Sequence, residues 1–244
     1  MTEGLKVSLF IMMMIFLGTG LGGLATKYVE GVLRRNYRLL HMFCGGLLVG
    51  LLGLEIFPET ISDYDSLGIL AGFSSGIVFM LFMDHILHKM KGVHFEKPQM
   101  YIFLFLALFI HSIPTGLALG MSFQGQQFQN PSLFTAILIH HFPEGMVMMI
   151  SVMISNANLK IFWVFCLLLS FAVGTTTYLG ITINTGSIKV QTLLLGAALG
   201  TLSYVTLYEI LWKGASDRFT PLMVGAAVAG FLSFLFLQIT AFSH

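Results

Sequence analysis

His140-His141-Phe142-Pro143-Glu144-Gly145 sets two imidazoles and a carboxylate within little more than one helical turn. A second segment, His111-Ser112-Ile113-Pro114-Thr115-Gly116, repeats the His-x-x-Pro-x-Gly spacing with one imidazole and two hydroxyls. Imidazole nitrogens and carboxylate oxygens are the ligands that divalent first-row metals prefer. Both segments lie inside long apolar stretches, where an ionisable group is costly enough to imply a function. On a helix, residues at i and i+4 share a face. His140 and Glu144 therefore project together, as do His111 and Thr115. His141 is turned about 100° from His140 and is expected to look elsewhere. Two antiparallel helices with these faces opposed would gather His111, His140 and Glu144 around one point. Three such ligands completed by water suit zinc or a similar divalent ion.

The prolines sharpen this expectation. Proline inside a helix removes a hydrogen bond, here leaving the carbonyls of Ile110 and Ile139 without their usual partners. Broken helices at membrane depth are tolerated where they line a cavity, and they mark transport sites. Gly116 and Gly145 allow close helix approach. The plainer reading is that these histidines only hydrogen-bond neighbouring helices together, but the repeated spacing speaks against it.

The elements that must carry these groups are legible in the composition. Of 244 residues, 56% are hydrophobic and 9% charged, and mean hydropathy is +0.88. A soluble domain carries about 25% charged residues. We therefore expect an all-α, multi-pass integral membrane protein, one polytopic domain over residues 1–244 with no cleavable signal. A net charge of +1 offers nothing to nucleic acid. Cys44 and Cys166 lie in separate apolar runs, do not form a metal-binding motif, and read as small core residues. The fifteen methionines read as packing material. Met146, Met148 and Met149 beside the second motif leave open a soft copper(I) site.

Eight apolar runs cover roughly residues 7–26, 39–57, 67–87, 100–122, 132–154, 159–183, 188–212 and 220–241. Each is near the ~20 residues that cross a bilayer. Only helices or closed barrels satisfy their backbones in lipid, and the runs are too long for barrel strands. Ten of the twelve basic residues (Lys27, Arg34, Arg35, Arg38, Lys89, Lys91, Lys97, Lys160, Lys213 and Arg218) fall on one side of this arrangement. Lys6 and Lys189 fall on the other. The basic side is cytoplasmic by charge bias, which places both termini outside. The opposite loop between spans two and three carries Asp63 and Asp65 without a basic residue.

Further polar groups mark a path. Glu55 and Glu59 lie toward the outer end of span two. Asp84, His85 and His88 close span three at its inner end, and Glu209 lies near the inner end of span seven. Span ends tolerate charge as anchors or caps, which is the plainer reading for Glu59 and His88. Carboxylates at both mouths would concentrate and relay cations.

At this point the residues resemble the ZIP family of zinc and iron transporters. The run His111-Ser112-Ile113-Pro114-Thr115-Gly116-Leu117-Ala118-Leu119-Gly120 is similar to that family's fourth-span motif. His140-His141-Phe142-Pro143-Glu144-Gly145 is similar to its fifth-span motif, and Pro58-Glu59 to the ending of its second span. The resemblance implies eight spans in a 3+2+3 inverted-repeat bundle. It implies movement of a divalent metal into the cytoplasm across the cytoplasmic membrane. It also implies a first metal position at His111, His140 and Glu144, and a second around Ser112, Thr115, His141 and Thr177 of span six. The sequence departs from the family at this second position: Thr115 stands where an acidic or other strong ligand is usual, and Thr177 replaces a carboxylate found in some members. Between spans three and four, the family's histidine-rich loop is reduced to His88 and His94. We therefore expect one principal metal, with His141 a supplementary ligand or a proton-accepting neighbour.

Two functional classes follow. The first is a transporter in which Zn2+ or a similar divalent cation is cargo and no catalytic cofactor is needed. Its partners are the ion and the lipid bilayer; the glycines of spans one, two and eight could serve packing within the chain or between two copies in a homodimer. The second is an intramembrane zinc-dependent hydrolase, with His111, His140 and His141 as ligands and Glu144 as base. The absence of a His-Glu-x-x-His motif counts against the hydrolase.

Overall fold

A computed structural model describes residues 3–32, 36–90, 100–122, 131–183, 187–215 and 220–242. Arg34, Arg35, Lys91, His94, Lys97 and Arg218, all used in the sequence analysis, lie outside the described residues, as does the side chain of His88.

Eight helices are long and apolar enough to cross a membrane, and the described residues include no strand. They are α1 (Glu3–Val32), α2 (Tyr37–Asp63), α3 (Ser66–Met90) and α4 (Met100–Ser122). The remaining four are α5 (Pro131–Ile154), α6 (Leu159–Ile183), α7 (Ile188–Ala215) and α8 (Pro221–Phe242). Each corresponds to one apolar run. The helices are apolar on both faces, as a lipid-embedded helix must be. On α1, Leu9, Met13, Leu17, Leu21 and Leu24 form an exposed stripe, while Val7, Ile11 and Ile15 on the other face are buried. Helices α3 and α8 are the least buried and form the periphery.

The helices pack in two groups of four. In one, α1 lies on α5 and α6, and α4 lies on α6 and α5. In the other, α3 lies on α7, α8 on α2, and α2 on α7. The groups meet chiefly where α4 touches α7 and α2 touches α5. Exchanging α1 with α6, α2 with α7, α3 with α8 and α4 with α5 carries these contacts onto one another: α1–α5 becomes α6–α4, α3–α7 becomes α8–α2, and α2–α5 becomes α7–α4.

The motif glycines follow the same exchange. A Cβ on Gly116 of α4 would strike Thr176 Oγ1 and lie 2.9 Å from the Val173 carbonyl, both on α6. A Cβ on Gly145 of α5 would strike the Thr19 carbonyl on α1. Each glycine thus brings a motif helix into backbone contact with a neighbour, which is how helices gain packing energy where lipid is as apolar as leucine.

The irregular turns are not where the prolines led us to expect them. Helices α4 and α5 run on through Pro114 and Pro143 without interruption. One missing hydrogen bond does not end a helix whose two sides are held by packing. The helical ladder changes instead in α2, at the π-turns of Leu51–Ile56, and in α7, over Val205–Trp212. After the first, the Phe57 amide bonds back to the Leu52 carbonyl, one residue farther than in an α-helix. Each π segment contains a glutamate, Glu55 or Glu209. Helix α2 also continues past Pro58-Glu59 to Asp63, beyond the ending read from the sequence.

The largest buried cluster includes Leu47, Leu48, Phe105, Leu108, Val147 and Ile150. These belong to the N-terminal halves of α2 and α4 and the C-terminal half of α5, so the cluster fills one end of the bundle. The charge bias read from the sequence makes this the expected cytoplasmic end. Cys44 and Cys166 are buried here and unpaired.

Candidate metal centre

Glu144 is the centre of the polar group inside the bundle. Its side chain is 1% exposed, and its two oxygens have different surroundings. Oε2 accepts a hydrogen bond from His141 Nδ1–H at 2.7 Å. Oε1 has no hydrogen-bond partner. It lies 3.5 Å from His140 Nε2 and 3.8 Å from His111 Nε2. His140 Nε2 is also buried without a partner. The ligand atoms of His111, His140 and Glu144 all lie within 4.8 Å of one another. The His111 and His140 rings face each other at 6.0 Å, tilted by only 17°. Buried polar atoms are ordinarily paired. Two orphaned polar atoms on α5, facing His111 on α4, make a pocket whose electrostatics suit a cation.

The hydrogen bonds on the far sides of these groups fix which atoms are available. His111 Nδ1 lies 2.9 Å from the carbonyl of Ala198 and 3.1 Å from Thr201 Oγ1 on α7. A carbonyl only accepts, so Nδ1 carries the proton and Nε2 presents its lone pair to Glu144 Oε1. An imidazole whose other nitrogen is held by a carbonyl is the usual arrangement of a metal-ligating histidine. Thr115 Oγ1 donates to the His111 carbonyl at 2.9 Å, which leaves its lone pairs beside His111 Nε2 at 3.4 Å. Ser112 is buried, and its hydroxyl donates to the Leu108 carbonyl at 2.8 Å.

His141 requires a correction. Turned away from His140, it was expected to look elsewhere; instead it holds Glu144. Residues at i and i+3 share a helix face as those at i and i+4 do, and Glu144 takes one histidine from each register. Gripping Oε2 aims Oε1 at the other two rings. Losing a group that orients a metal ligand typically costs about 10–100-fold in metal affinity. His141→Ala is therefore expected to weaken zinc binding by that order in a calorimetric titration. His141→Asn, whose amide can still donate but not ligate as a ring nitrogen does, should recover part of the loss. Wild-type affinity in His141→Ala would show that Oε2 needs no holding.

The remaining candidates fall into two places. Glu55, in the π segment of α2, is half-buried, with Oε2 unpartnered. It lies within electrostatic reach of His140 and of Glu59, and Glu59 is exposed. Of the three members of the candidate group, His140 alone has appreciable exposure (17%). At the other end Asp84 and Glu209 both meet Lys213, while His85 is exposed. Thr177 is fully buried with an unpartnered hydroxyl, and its carbonyl abuts Gly120 on α4.

Four residues were not singled out from the sequence. The Ala198 carbonyl and Thr201 orient His111; Thr201, in Gly200-Thr201-Leu202-Ser203-Tyr204, sits in a polar interruption of an apolar run that could have drawn notice. Lys213 was counted only as a charge. His41 is buried against Gly214 with Nδ1 unpartnered.

An eight-helix bundle with a buried His/Glu group of this kind defines a membrane protein built to handle a divalent cation. The family described as "ZIP Zinc transporter" matches residues 96–238, α4 through most of α8 and more than half of the chain. The chain belongs to the ZIP zinc transporter family. It is a divalent-metal transporter, and because this is a family of transporters rather than enzymes, the hydrolase reading falls away. No individual curated protein matches the chain.

Proposed function

We propose that this protein carries zinc, or a divalent ion of similar ligand preference, into the cytoplasm through a single principal site made by His111 Nε2, His140 Nε2 and Glu144 Oε1. The observation that carries this reading is the convergence of the buried, unpartnered Glu144 Oε1 and His140 Nε2 with the free face of His111. Imidazole nitrogens with one carboxylate suit zinc, and also iron, cobalt or nickel. Thr115 adds a neutral oxygen. Such a set, poor in charge, holds an ion weakly enough to let it go, which conduction requires.

The route begins at Glu59 and Glu55, which concentrate cations, and passes to His140. The large apolar cluster filling the other end supports a site that is reached from the Glu55 end. The bias of basic residues supports naming that end external and both termini outside. The exchange of helix contacts supports a 3+2+3 inverted repeat, with α4 and α5 as the central pair.

The test is zinc uptake into proteoliposomes containing the purified full chain, with iron, manganese and cobalt as competitors. Saturable uptake that His111→Ala abolishes is expected. It should fall as the medium is acidified, since protons compete for the same nitrogens and oxygens. Tight zinc binding without flux would remove this reading.

A further inference from the structure

Beyond the apolar cluster, at the end opposite Glu55, one lysine is held in a cage. Lys213 Nζ lies 2.6 Å from Glu209 Oε1 on its own helix and 3.5 Å from Asp84 Oδ1 on α3. Two aromatic faces also lie against the ammonium: the Phe103 ring of α4 at 5.0 Å and the Tyr208 ring at 4.9 Å. The carboxylates are shielded, with side-chain exposures of 14% for Asp84 and 8% for Glu209. The Tyr204 hydroxyl, on the same helix as Glu209 and Lys213, is buried without a hydrogen-bond partner.

Carboxylates and aromatic faces around one point are what binds a cation. A lysine side chain is a flexible stem ending in a compact, strongly hydrated charge. It can enter and leave such a cage, where a rigid Arg fork would be tied by paired hydrogen bonds. The cage also joins three helices and both four-helix groups, since Phe103 belongs to α4 while Asp84 and Glu209 belong to α3 and α7. Glu209 sits in the π segment of α7, and π-turns are commonly retained where a helix serves a function.

We propose that the Lys213 ammonium is a tethered cation that occupies an exit site for the transported ion: it neutralises Asp84 and Glu209 while the exit is closed, and an ion leaving for the cytoplasm displaces it. This rests on the transport reading for its direction. The consequence is that the exit carboxylates never trap the metal, because a covalently attached competitor always returns.

The experiment removes the competitor in a chain whose central site is disabled. Zinc binding to purified Glu144→Gln is compared in detergent with that to Glu144→Gln/Lys213→Gln. The double variant is expected to gain a bound ion that Glu144→Gln lacks, and adding Glu209→Gln should abolish the gain. If the glutamine does not fold, Lys213→Met keeps the aliphatic stem over Phe103 and Tyr208 and serves in its place. No gain in zinc binding overturns the proposal. In proteoliposomes, Lys213→Gln alone should lower the maximum uptake rate without changing half-saturation, because the ion now lingers at the exit; an unchanged rate overturns the exit role. If the wild type itself moves no zinc, the transport reading fails by that result, and the binding comparison still decides whether Lys213 stands in the place of a metal.

Discussion

Replacing Glu144 by Gln is expected to abolish saturable zinc uptake and to lower zinc affinity by at least about 100-fold, the upper end of what even indirect changes to a metal's ligand set cost. The two oxygens of Glu144 have separate tasks. Oε2 accepts from His141 at 2.7 Å, and Oε1 faces His140 and His111 at 3.5 and 3.8 Å. An amide can satisfy only one of these. If its oxygen turns to His141, the NH2 group points at the metal position. If its oxygen turns to the metal, the NH2 group meets the His141 N–H. Both arrangements forfeit the one negative charge within the described group. The side chain is nearly isosteric, so the fold should survive, which a thermal melt in detergent would confirm. Zinc affinity equal to wild type in a folded Glu144→Gln protein would remove Glu144 from the site.

The second large effect is structural. Gly145→Ala should destabilise the protein by about 3 kcal/mol, the upper part of the usual range for overpacking. The added methyl lands on the Thr19 carbonyl of α1, which is backbone and cannot turn aside. The helices must separate, and packing between α1 and α5 is lost along their length. Gly116→Ala should cost less, because its first obstacle is the Thr176 hydroxyl, a side-chain atom that can rotate. Thermal unfolding of the two variants in the same detergent gives the comparison. A melting temperature unchanged in Gly145→Ala would mean that the close approach of α1 and α5 contributes little. Because Gly145 follows Glu144, the same variant should also weaken zinc binding, whereas Gly116→Ala acts one turn from His111 and should weaken it less.

Much of this protein was legible along the chain. The number of helices follows from apolar length, since lipid forces the backbone to satisfy itself within each run. The neighbourhood of His140 and Glu144 follows from helical periodicity, and the choice of cation chemistry from the residue types. These are local properties, set by residues close in sequence. The meeting of His111 with that pair was expected from the faces of two antiparallel helices; only the tertiary structure decided that the Ala198 carbonyl on α7 selects its tautomer and that His141 holds Glu144 rather than looking away. It also decided that the helical irregularity lies at Leu51–Ile56 and Val205–Trp212 rather than at the prolines, and that Lys213 is caged by Asp84 and Glu209. The reason is common to all of these. A membrane helix is apolar on every side, so no amphipathic stripe announces which face turns inward. The facing surfaces are chosen by glycine contacts, single hydrogen bonds and shape between helices distant in sequence.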